Sequence, residues 1–236
     1  MKIQCFIFCW NEYVPEALRL ECMLSRFHKT TVINSNINFN YGKWININDG
    51  YFAEQWNTLL ENIDDDTDYV FHIQADATVT FNQLDILFYR FKEAARQHKI
   101  GVYAPDVDYT PCKYDLSELS TIPITSIYSI KYLYKVPCTD CTCWIINTEL
   151  MTEKPLFDLS VNSMGWGADF YYIAKARLEE YETVRDYQVT ISHPKKNTYS
   201  YEIANKQFNE WLFRQDENIF MVIGVLFCYY MTMRKS

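Results

Sequence analysis

Residues 69–78, YVFHIQADAT, constrain the fold of this chain more than any other stretch. Val70, Phe71 and Ile73 favour a β-strand, and the run is short and follows an acidic turn at residues 64–68. The run is followed by Asp76, where the strand would leave its sheet. Ligands of open α/β sheets bind beyond the carboxyl ends of the strands. The stretch therefore predicts an α/β protein in which Asp76 binds a ligand or, alternatively, caps the helix that follows.

Short apolar runs alternate with helical patterns through the first part of the chain. The strand candidates are residues 3–8, 30–34, 69–75 and 100–104, and the helical patterns cover residues 17–27, 51–62 and 84–95. This rhythm is typical of βαβ units and predicts a mostly parallel central sheet. Residues 105–137 then contain four prolines and no helical period, which favours a functional loop or lid that shapes the acceptor site or orders when the donor binds. Later elements are a strand at 143–147, a helix through residue 181 and a strand at 186–192.

Composition narrows the class of protein further. The 236 residues are 49% hydrophobic with only 6 Gly, which excludes a low-complexity or disordered chain. A net charge of −8 argues against nonspecific binding to nucleic acid, which depends on clustered Lys and Arg. The start of the sequence lacks the pattern of a signal peptide, so we expect a cytoplasmic protein whose 8 cysteines are reduced thiols.

The C-terminal segment is unusually apolar. Residues 219–233 carry no charge and are followed by Arg234 and Lys235. The run is shorter than the roughly 18 residues of a membrane span. We expect a helix that packs against the protein, while a subunit interface in a homo-oligomer and an anchor at the membrane surface stay open as alternatives.

Three polar residues follow or precede predicted strands and are candidates for chemistry: Asp76, Asp169 and His193. Asp76 and His193 are suited to hold Mn²⁺ or Mg²⁺, since carboxylate and imidazole are ligands of such cations. Asp169 follows a Gly-rich turn and is placed to act as a general base. Each has a structural alternative, because Asp169 is favourable at a helix N-terminus and His193 precedes a proline that ends a strand.

Cysteines form a second cluster. Cys138, Cys141 and Cys143 follow the pattern C-x₂-C-x-C, and Cys112 is a candidate fourth ligand for a structural Zn²⁺. The usual pair of separated C-x₂-C motifs is missing, and Cys143 opens an apolar strand. Asp140, within the same segment, lies just before that strand and is a candidate contact to an acceptor.

Taken in order, these motifs resemble the GT-A glycosyltransferases, which use nucleotide-sugar donors. The resemblance covers most of residues 1–200 and implies a Rossmann-type three-layer sandwich. It implies one catalytic domain at 1–215, with a nucleotide-sugar half at 1–104 and an acceptor half at 105–215. The apolar C-terminal helix at 216–236 lies outside this domain.

The same resemblance implies roles for individual residues. In that family a D-x-D motif binds the cation and the donor diphosphate, and Gln74-Ala75-Asp76 is similar to it with Gln in place of the first Asp. Gly165-Trp-Gly-Ala-Asp169 is similar to the second acidic motif and implies Asp169 as the base, while His193 matches the late metal ligand. The implied donor-binding residues are Asn11, Glu12, Asn34, Gln74 and Asp76, and the acceptor-binding residues are Asp140 and Trp166.

The sequence thus predicts a metal-dependent, inverting glycosyltransferase with a nucleoside-diphosphate sugar donor. A retaining outcome stays open, and so does the acceptor, which is a saccharide, a lipid-linked saccharide or a modified nucleobase. Two alternatives come from other classes: a GT-A-like protein that binds nucleotide or carbohydrate without turnover, and a zinc-stabilised interaction module.

Overall fold

A nine-stranded sheet runs through the described part of the molecule. The computed structural model describes residues 1–47, 50–110, 112–124, 132–194 and 200–233 of the chain. Its nine strands in these ranges are β1 (Ile3–Cys9), β2 (Lys29–Asn34), β3 (Ile45–Asn46), β4 (Tyr69–Gln74), β5 (Ile100–Val107), β6 (Thr121–Pro123), β7 (Tyr132–Lys135), β8 (Cys143–Asn147) and β9 (Glu182–Ile191). They are ordered β3-β2-β1-β4-β8-β5-β9-β7-β6.

The sheet is mixed, so the expectation of a mostly parallel sheet is wrong. β1 pairs in parallel with β2 and β4, and β5 pairs in parallel with β9. β8 lies antiparallel between β4 and β5, while β7 is antiparallel to both β9 and β6. The reason is the connection after β5: parallel strands require a crossover, usually a helix. The described residues between β5 and β8 contain only a short 3₁₀ turn and the β6–β7 hairpin.

Six helices cover the two faces of this sheet in the described part of the chain. They are α1 (Val14–Leu24), α2 (Phe52–Glu61), α3 (Phe81–Gln97), α4 (Ala168–Leu178), α5 (Tyr201–Leu212) and α6 (Glu217–Met233). Side chains of α1 and α3 bury against one face, and those of α2, α4, α5 and α6 bury against the other. Helices on both faces of one sheet form the three layers that the sequence predicts.

The start of α3 is fixed by a capping box. The Thr80 hydroxyl accepts from the backbone N–H of Gln83, and the Gln83 side chain accepts from the backbone N–H of Thr80. The cap ends the loop that carries Asp76, so the chain between β4 and α3 is held at both ends.

The C-terminal helix α6 packs against the protein. Ile219, Ile223 and Leu226 are buried in the core shared with α4 and α5, and the Phe227 ring lies 5.8 Å from that of Phe170. Neither α6 nor any other helix in the described ranges is long and apolar enough to cross a bilayer. The predicted division of the chain at residues 104 and 215 stays a prediction. So does a contact of α6 with a membrane surface or with a second copy of the chain.

Candidate active site

The site begins where two strand extensions meet beyond the carboxyl ends of β4 and β9. Thr78 and Ser192 pair as an antiparallel bridge, with N–H···O distances of 2.7 and 3.2 Å. The bridge brings together Asp76, just after β4, and His193, just after β9. The Asp76 Oδ2 atom lies 3.3 Å from the His193 Nε2 atom. The structure thus brings together the two residues that the sequence predicts as metal ligands.

Both side chains of this pair are largely buried, yet each keeps a polar atom unused. Asp76 is 9% exposed and His193 is 23% exposed. Asp76 Oδ1 and His193 Nε2 are buried and have no hydrogen-bond partner among the described residues. The 3.3 Å contact of His193 Nε2 is with the other carboxylate oxygen, Asp76 Oδ2. Native proteins rarely leave buried polar atoms unpaired, so the pair has the character of a ligand site.

Charge around the pair favours a cation. Burial lowers the pKa of His193, but the carboxylate of Asp76 and, with smaller effect, those of Asp140 and Asp108 raise it, and the net pKa lies above the ordinary 6.5. The carboxylates that act on this imidazole make the local potential negative.

Asp108, which sequence reasoning missed, fixes the backbone of His193. Its Oδ1 accepts from the His193 backbone N–H at 2.7 Å, and its Oδ2 accepts from the Ser192 hydroxyl at 2.7 Å. Its own N–H donates to the carbonyl of Ile191 at 3.0 Å. Asp108 follows β5 directly, and a polar residue just after a buried strand was the available signal.

A rigid glycine turn positions Asp169. Gly165 and Gly167 have φ of 71° and 105°, which only glycine adopts freely. A Cβ on Gly165 would lie 2.6 Å from the backbone N of Ala53, and one on Gly167 would lie 2.7 Å from ring carbons of α5. The buried Asn162 clamps the turn, accepting from the N–H of Gly165 and donating to the carbonyl of Trp166.

Asp169 itself stands in the first turn of α4. Burial, together with a smaller effect of the Asp140 carboxylate, raises its pKa to about 7, although its Oδ1 accepts from the N–H of Phe170 at 2.9 Å. A carboxylate with a pKa near neutrality is suited to accept a proton at physiological pH.

Asp140 acts electrostatically on both parts of the site. Its carboxylate raises the pKa of Asp169 and of His193. Its Oδ1 accepts from the N–H of Thr142 at 3.1 Å, and its Oδ2 is buried without a hydrogen-bond partner among the described residues. Asp140 therefore has one oxygen available within the site.

Predicted donor residues lie along β1, β2 and β4. Asn11 and Glu12 are exposed after β1, and Asn11 adopts a left-handed φ of 46°. Gln74 ends β4, and its backbone N–H donates to the carbonyl of Thr142. Asn34 is fully buried, and its amide donates to the carbonyl of Phe39 at 2.7 Å, so it shapes the loop after β2. The donor roles of these residues stay predictions.

Tyr13 and Trp166 are aromatic residues close in sequence to predicted site residues. Burial and, with smaller effect, the Asp76 carboxylate raise the pKa of the Tyr13 phenol. Trp166 is half-buried, and its ring lies 5.0 Å from that of Tyr201 in an edge-on contact. Its acceptor role stays a prediction.

The cysteines do not form the zinc site considered from the sequence. Cys112 and Cys138 are buried with their sulfurs 3.7 Å apart, and Cys141 packs on the same core. Cys143 instead faces the opposite side of the sheet, in the core with α1 and α3. No three His, Cys, Asp or Glu side chains converge as a metal-binding group within the described residues.

The fold is shared with solved glycosyltransferases. The structure of GalNAc-T7 with UDP, GalNAc and Mn²⁺ superimposes with a TM-score of 0.63 at 11% sequence identity, over 92% of this chain and 49% of that one. This chain therefore spans about half the length of that protein. The catalytic domain of Drosophila beta1,4galactosyltransferase 7 with xylobiose matches at a TM-score of 0.47 and 12% identity, over 89% of this chain and 81% of that one.

Comparison of the sequence with known families and curated proteins identifies no relative. The sequence matches no protein-family profile, and no curated protein sequence matches it. At such low identity the structural likeness concerns architecture, and on that basis the chain has a GT-A-type glycosyltransferase fold.

Proposed function

We propose that this protein is a metal-dependent glycosyltransferase that moves a sugar from a nucleoside-diphosphate sugar to an acceptor hydroxyl. The observation that carries the proposal is the buried pair of Asp76 and His193, 3.3 Å apart with unpaired polar atoms, beyond the carboxyl ends of β4 and β9. UDP and Mn²⁺ are present in the GalNAc-T7 structure, and the shared fold makes a uridine nucleotide the first donor to test.

The residues of this chain fit Mn²⁺ or Mg²⁺. Asp76 Oδ1 and His193 Nε2 are buried, lack hydrogen-bond partners among the described residues, and lie in a carboxylate-rich environment. Two protein ligands suffice where substrate phosphates complete the coordination, as is common for such cations. When bound, the cation supplies neutralisation of the charge that develops on the departing diphosphate.

Asp169 acts as the general base in this proposal. Its carboxylate takes the proton of the acceptor hydroxyl as that oxygen forms a bond to the anomeric carbon, and the bond from this carbon to the diphosphate breaks. A pKa of about 7 leaves roughly half of the carboxylate ionised at neutral pH. The clamped glycine turn keeps the carboxylate in place, which preserves its alignment with the acceptor. A single displacement of this kind inverts the configuration of the anomeric carbon.

We assign Asp140 and Trp166 to the acceptor in this proposal. The Oδ2 of Asp140, which has no hydrogen-bond partner among the described residues, is suited to accept a hydrogen bond from an acceptor hydroxyl. Asn11, Glu12 and Gln74, which follow β1 or end β4, are assigned to the donor. The protein would then hold donor and acceptor on opposite sides of the cation.

Gln74 is the observation that favours a second candidate, binding without turnover. It stands where the D-x-D motif has its first acid, so one carboxylate is missing from the donor site. Asp169→Asn separates the two functions: loss of transfer with retained UDP binding supports the enzyme. A wild type that binds UDP with Mn²⁺ but neither transfers nor hydrolyses any UDP-sugar supports the binding protein.

Thermal unfolding with and without Mn²⁺, in the presence of UDP, GDP, CDP or dTDP, tests the proposal. A ligand that binds the native state raises the melting temperature, and a tighter ligand at the same concentration raises it further. We expect a shift with one nucleotide that requires Mn²⁺ and is lost in Asp76→Asn. Asp66→Asn is the matched control, since Asp66 lies in the exposed turn before β4, at the opposite end of the same strand. A shift that is independent of Mn²⁺, or equal in both variants, contradicts the proposal.

A further inference from the structure

Cys112 and Cys138 are buried thiols whose sulfur atoms lie 3.7 Å apart. They are 26 positions apart in the chain and are 2% and 1% exposed. The proposed function gives neither thiol a role. The S–S distance of a disulfide is about 2.05 Å. The two sulfurs therefore need to approach by about 1.7 Å, which small rotations of the two side chains supply.

Hydrogen bonds hold the backbone on both sides of this thiol pair. The guanidinium of Arg185, buried on β9, donates to the carbonyl of Cys112 and to the hydroxyl of Thr139 at 2.8 Å. The Tyr114 hydroxyl donates to the Cys138 carbonyl at 2.6 Å and accepts from the Cys138 N–H at 3.2 Å. The segment after β5 is thus joined to the segment before β8, and the two cysteines are held together before any covalent bond forms.

Cys138 is the more reactive thiol of the pair. The Cys112 thiol donates to the Cys138 sulfur, and this contact lowers the pKa of Cys138 below the ordinary 9.0. The Tyr114 hydroxyl, 3.2 Å from the same sulfur, and the charge of Arg185 act in the same direction with smaller effect, while burial and the Asp169 carboxylate oppose them. The same contact and burial raise the pKa of Cys112. The thiolate therefore forms on Cys138.

The pair lies close beneath the protein surface. Lys113, next to Cys112, is exposed, and Tyr114, which contacts the Cys138 sulfur, is half-buried. Cys5, in contrast, lies in the middle of β1 in the core with α1 and α3. Opening of a loop costs less free energy than opening of a core strand. The pair is therefore within reach of a small dissolved oxidant.

We propose that Cys112 and Cys138 are a disulfide site that takes a low-molecular-weight disulfide, such as glutathione disulfide, as its oxidant. The Cys138 thiolate attacks one sulfur of glutathione disulfide, whose S–S bond breaks and releases one glutathione. The Cys112 sulfur then displaces the second glutathione from Cys138, and its proton goes to that glutathione. The two cysteines lose two electrons, and the two glutathione molecules gain these electrons and the two thiol protons.

The disulfide links the two segments that flank the β6–β7 hairpin. It restrains residues 138–142, the loop that carries Asp140. Because the bond forms without nucleotide or cation, the inference goes beyond the proposed function and stands or falls separately from it.

The test is an equilibrium titration of the full chain in glutathione buffers of increasing oxidised fraction, without nucleotide or Mn²⁺. Cys22→Ser and Cys228→Ser are introduced together, because they remove the two exposed thiols and with them disulfides between copies. Samples of this parent protein and of its variants are quenched with acid, alkylated and weighed by mass spectrometry. Thermal unfolding in reducing buffer checks that each variant is folded.

Peptide mapping identifies the bonded pair. Cleavage after Lys135 and before Asp140 separates Cys138 from Cys141 and Cys143. The distinction matters because the C-x₂-C spacing of Cys138 and Cys141 is itself typical of a redox pair.

We expect the parent protein to lose the mass of two hydrogens, to yield a linked Cys112–Cys138 peptide, and to regain both thiols in dithiothreitol. Cys112→Ser stops at one glutathione bound to Cys138, because no thiol is left to displace it. Cys138→Ser forms neither the disulfide nor a glutathione adduct on Cys112. Cys143→Ser is the matched control for loss of a buried cysteine and oxidises like the parent.

Three results overturn the inference. They are a parent protein that forms no internal disulfide even in fully oxidised glutathione, a Cys138–Cys141 bond in place of the Cys112–Cys138 bond, and a glutathione adduct that builds up on Cys112 in Cys138→Ser. The parent protein alone decides the first two, so the test does not depend on the folding of any cysteine variant within the pair.

Discussion

Replacement of Asp108 by alanine is the sharpest test of how the cation site is held. The carboxylate accepts two hydrogen bonds of 2.7 Å, from the His193 backbone N–H and from the Ser192 hydroxyl. Bonds to a charged acceptor contribute about 1.5–3 kcal/mol each when buried, and less where solvent reaches them, as at Ser192. We expect Asp108→Ala to lower the free energy of unfolding by about 1–3 kcal/mol in urea denaturation.

Asp108→Ala should also weaken the affinity of the site for the cation, and by more than the loss of folding stability alone would cause. Removal of a group that orients a metal ligand typically costs about 10–100-fold in metal affinity. Mn²⁺-dependent UDP binding, measured by isothermal titration calorimetry, should therefore weaken by at least tenfold in Asp108→Ala. Ser192→Ala is the control, since it removes one of the two bonds and leaves the His193 N–H satisfied. Equal UDP affinity in wild type and Asp108→Ala, or an equal loss in Ser192→Ala, refutes the positioning role.

Three further outcomes are expected. Asp186→Leu removes the buried carboxylate that accepts two hydrogen bonds from the buried guanidinium of Arg90, and loss of this counter-charge should cost about 3–5 kcal/mol in urea denaturation. Arg90→Met added to it should recover part of the loss. Because burial raises the pKa of Asp169 to about 7, the kcat/KM for the acceptor should rise with pH through that value. The contribution of Asp169 to the free energy of unfolding should fall as pH rises from the ordinary pKa of 3.8 to about 7. Asp169→Asn should abolish both trends in pH–rate and pH–stability profiles. Gly167→Ala should lower the melting temperature because its φ is 105° and its Cβ would meet α5, whereas Gly224→Ala, with open space within α6, should raise it slightly.

Much of the site was readable from the sequence because its signals are local. Asp76 follows a short apolar run, and the two glycines before Asp169 indicate a tight turn. In an α/β sheet, residues that directly follow strands gather at one edge, so the meeting of Asp76 and His193 could be predicted without their distance. The α/β class was likewise predictable from the alternation of strand and helix patterns up to residue 104, whereas the three layers were implied by the resemblance to the GT-A family.

Features that depend on contacts far apart in the chain were not readable. The antiparallel insertion of β8 between β4 and β5 follows from the return path after residue 107, which no local pattern encodes. Asp108 bonds to residue 193, 85 positions later, and in the sequence it resembles any acidic loop residue. The hydrogen bonds of the buried Asn34 amide to Phe39 and Asn46 were likewise not readable, and its predicted donor role stays a prediction.

The structure of the region after residue 104 was only partly predicted from the sequence. The sequence predicts a functional loop or lid without regular structure at residues 105–137, and the structure gives the described part of this region a strand end, a 3₁₀ turn and the β6–β7 hairpin. Residues 111 and 125–131 lie outside the described residues, so the role of that part as a lid stays a prediction. Short strands rich in Tyr and Pro carry little periodic signal, which explains why the hairpin was not recognised.

The most direct measurement is the anomalous diffraction of Mn²⁺ in crystals of the protein soaked with MnCl₂ and UDP. The proposed function predicts one strong peak within about 2.0–2.3 Å of an Asp76 carboxylate oxygen and of His193 Nε2, adjacent to the UDP phosphates. Asp76→Asn crystals treated in the same way should lose that peak. UDP bound elsewhere, or a manganese peak that contacts neither Asp76 nor His193, would contradict the claim that this pair is the cation site of a glycosyltransferase.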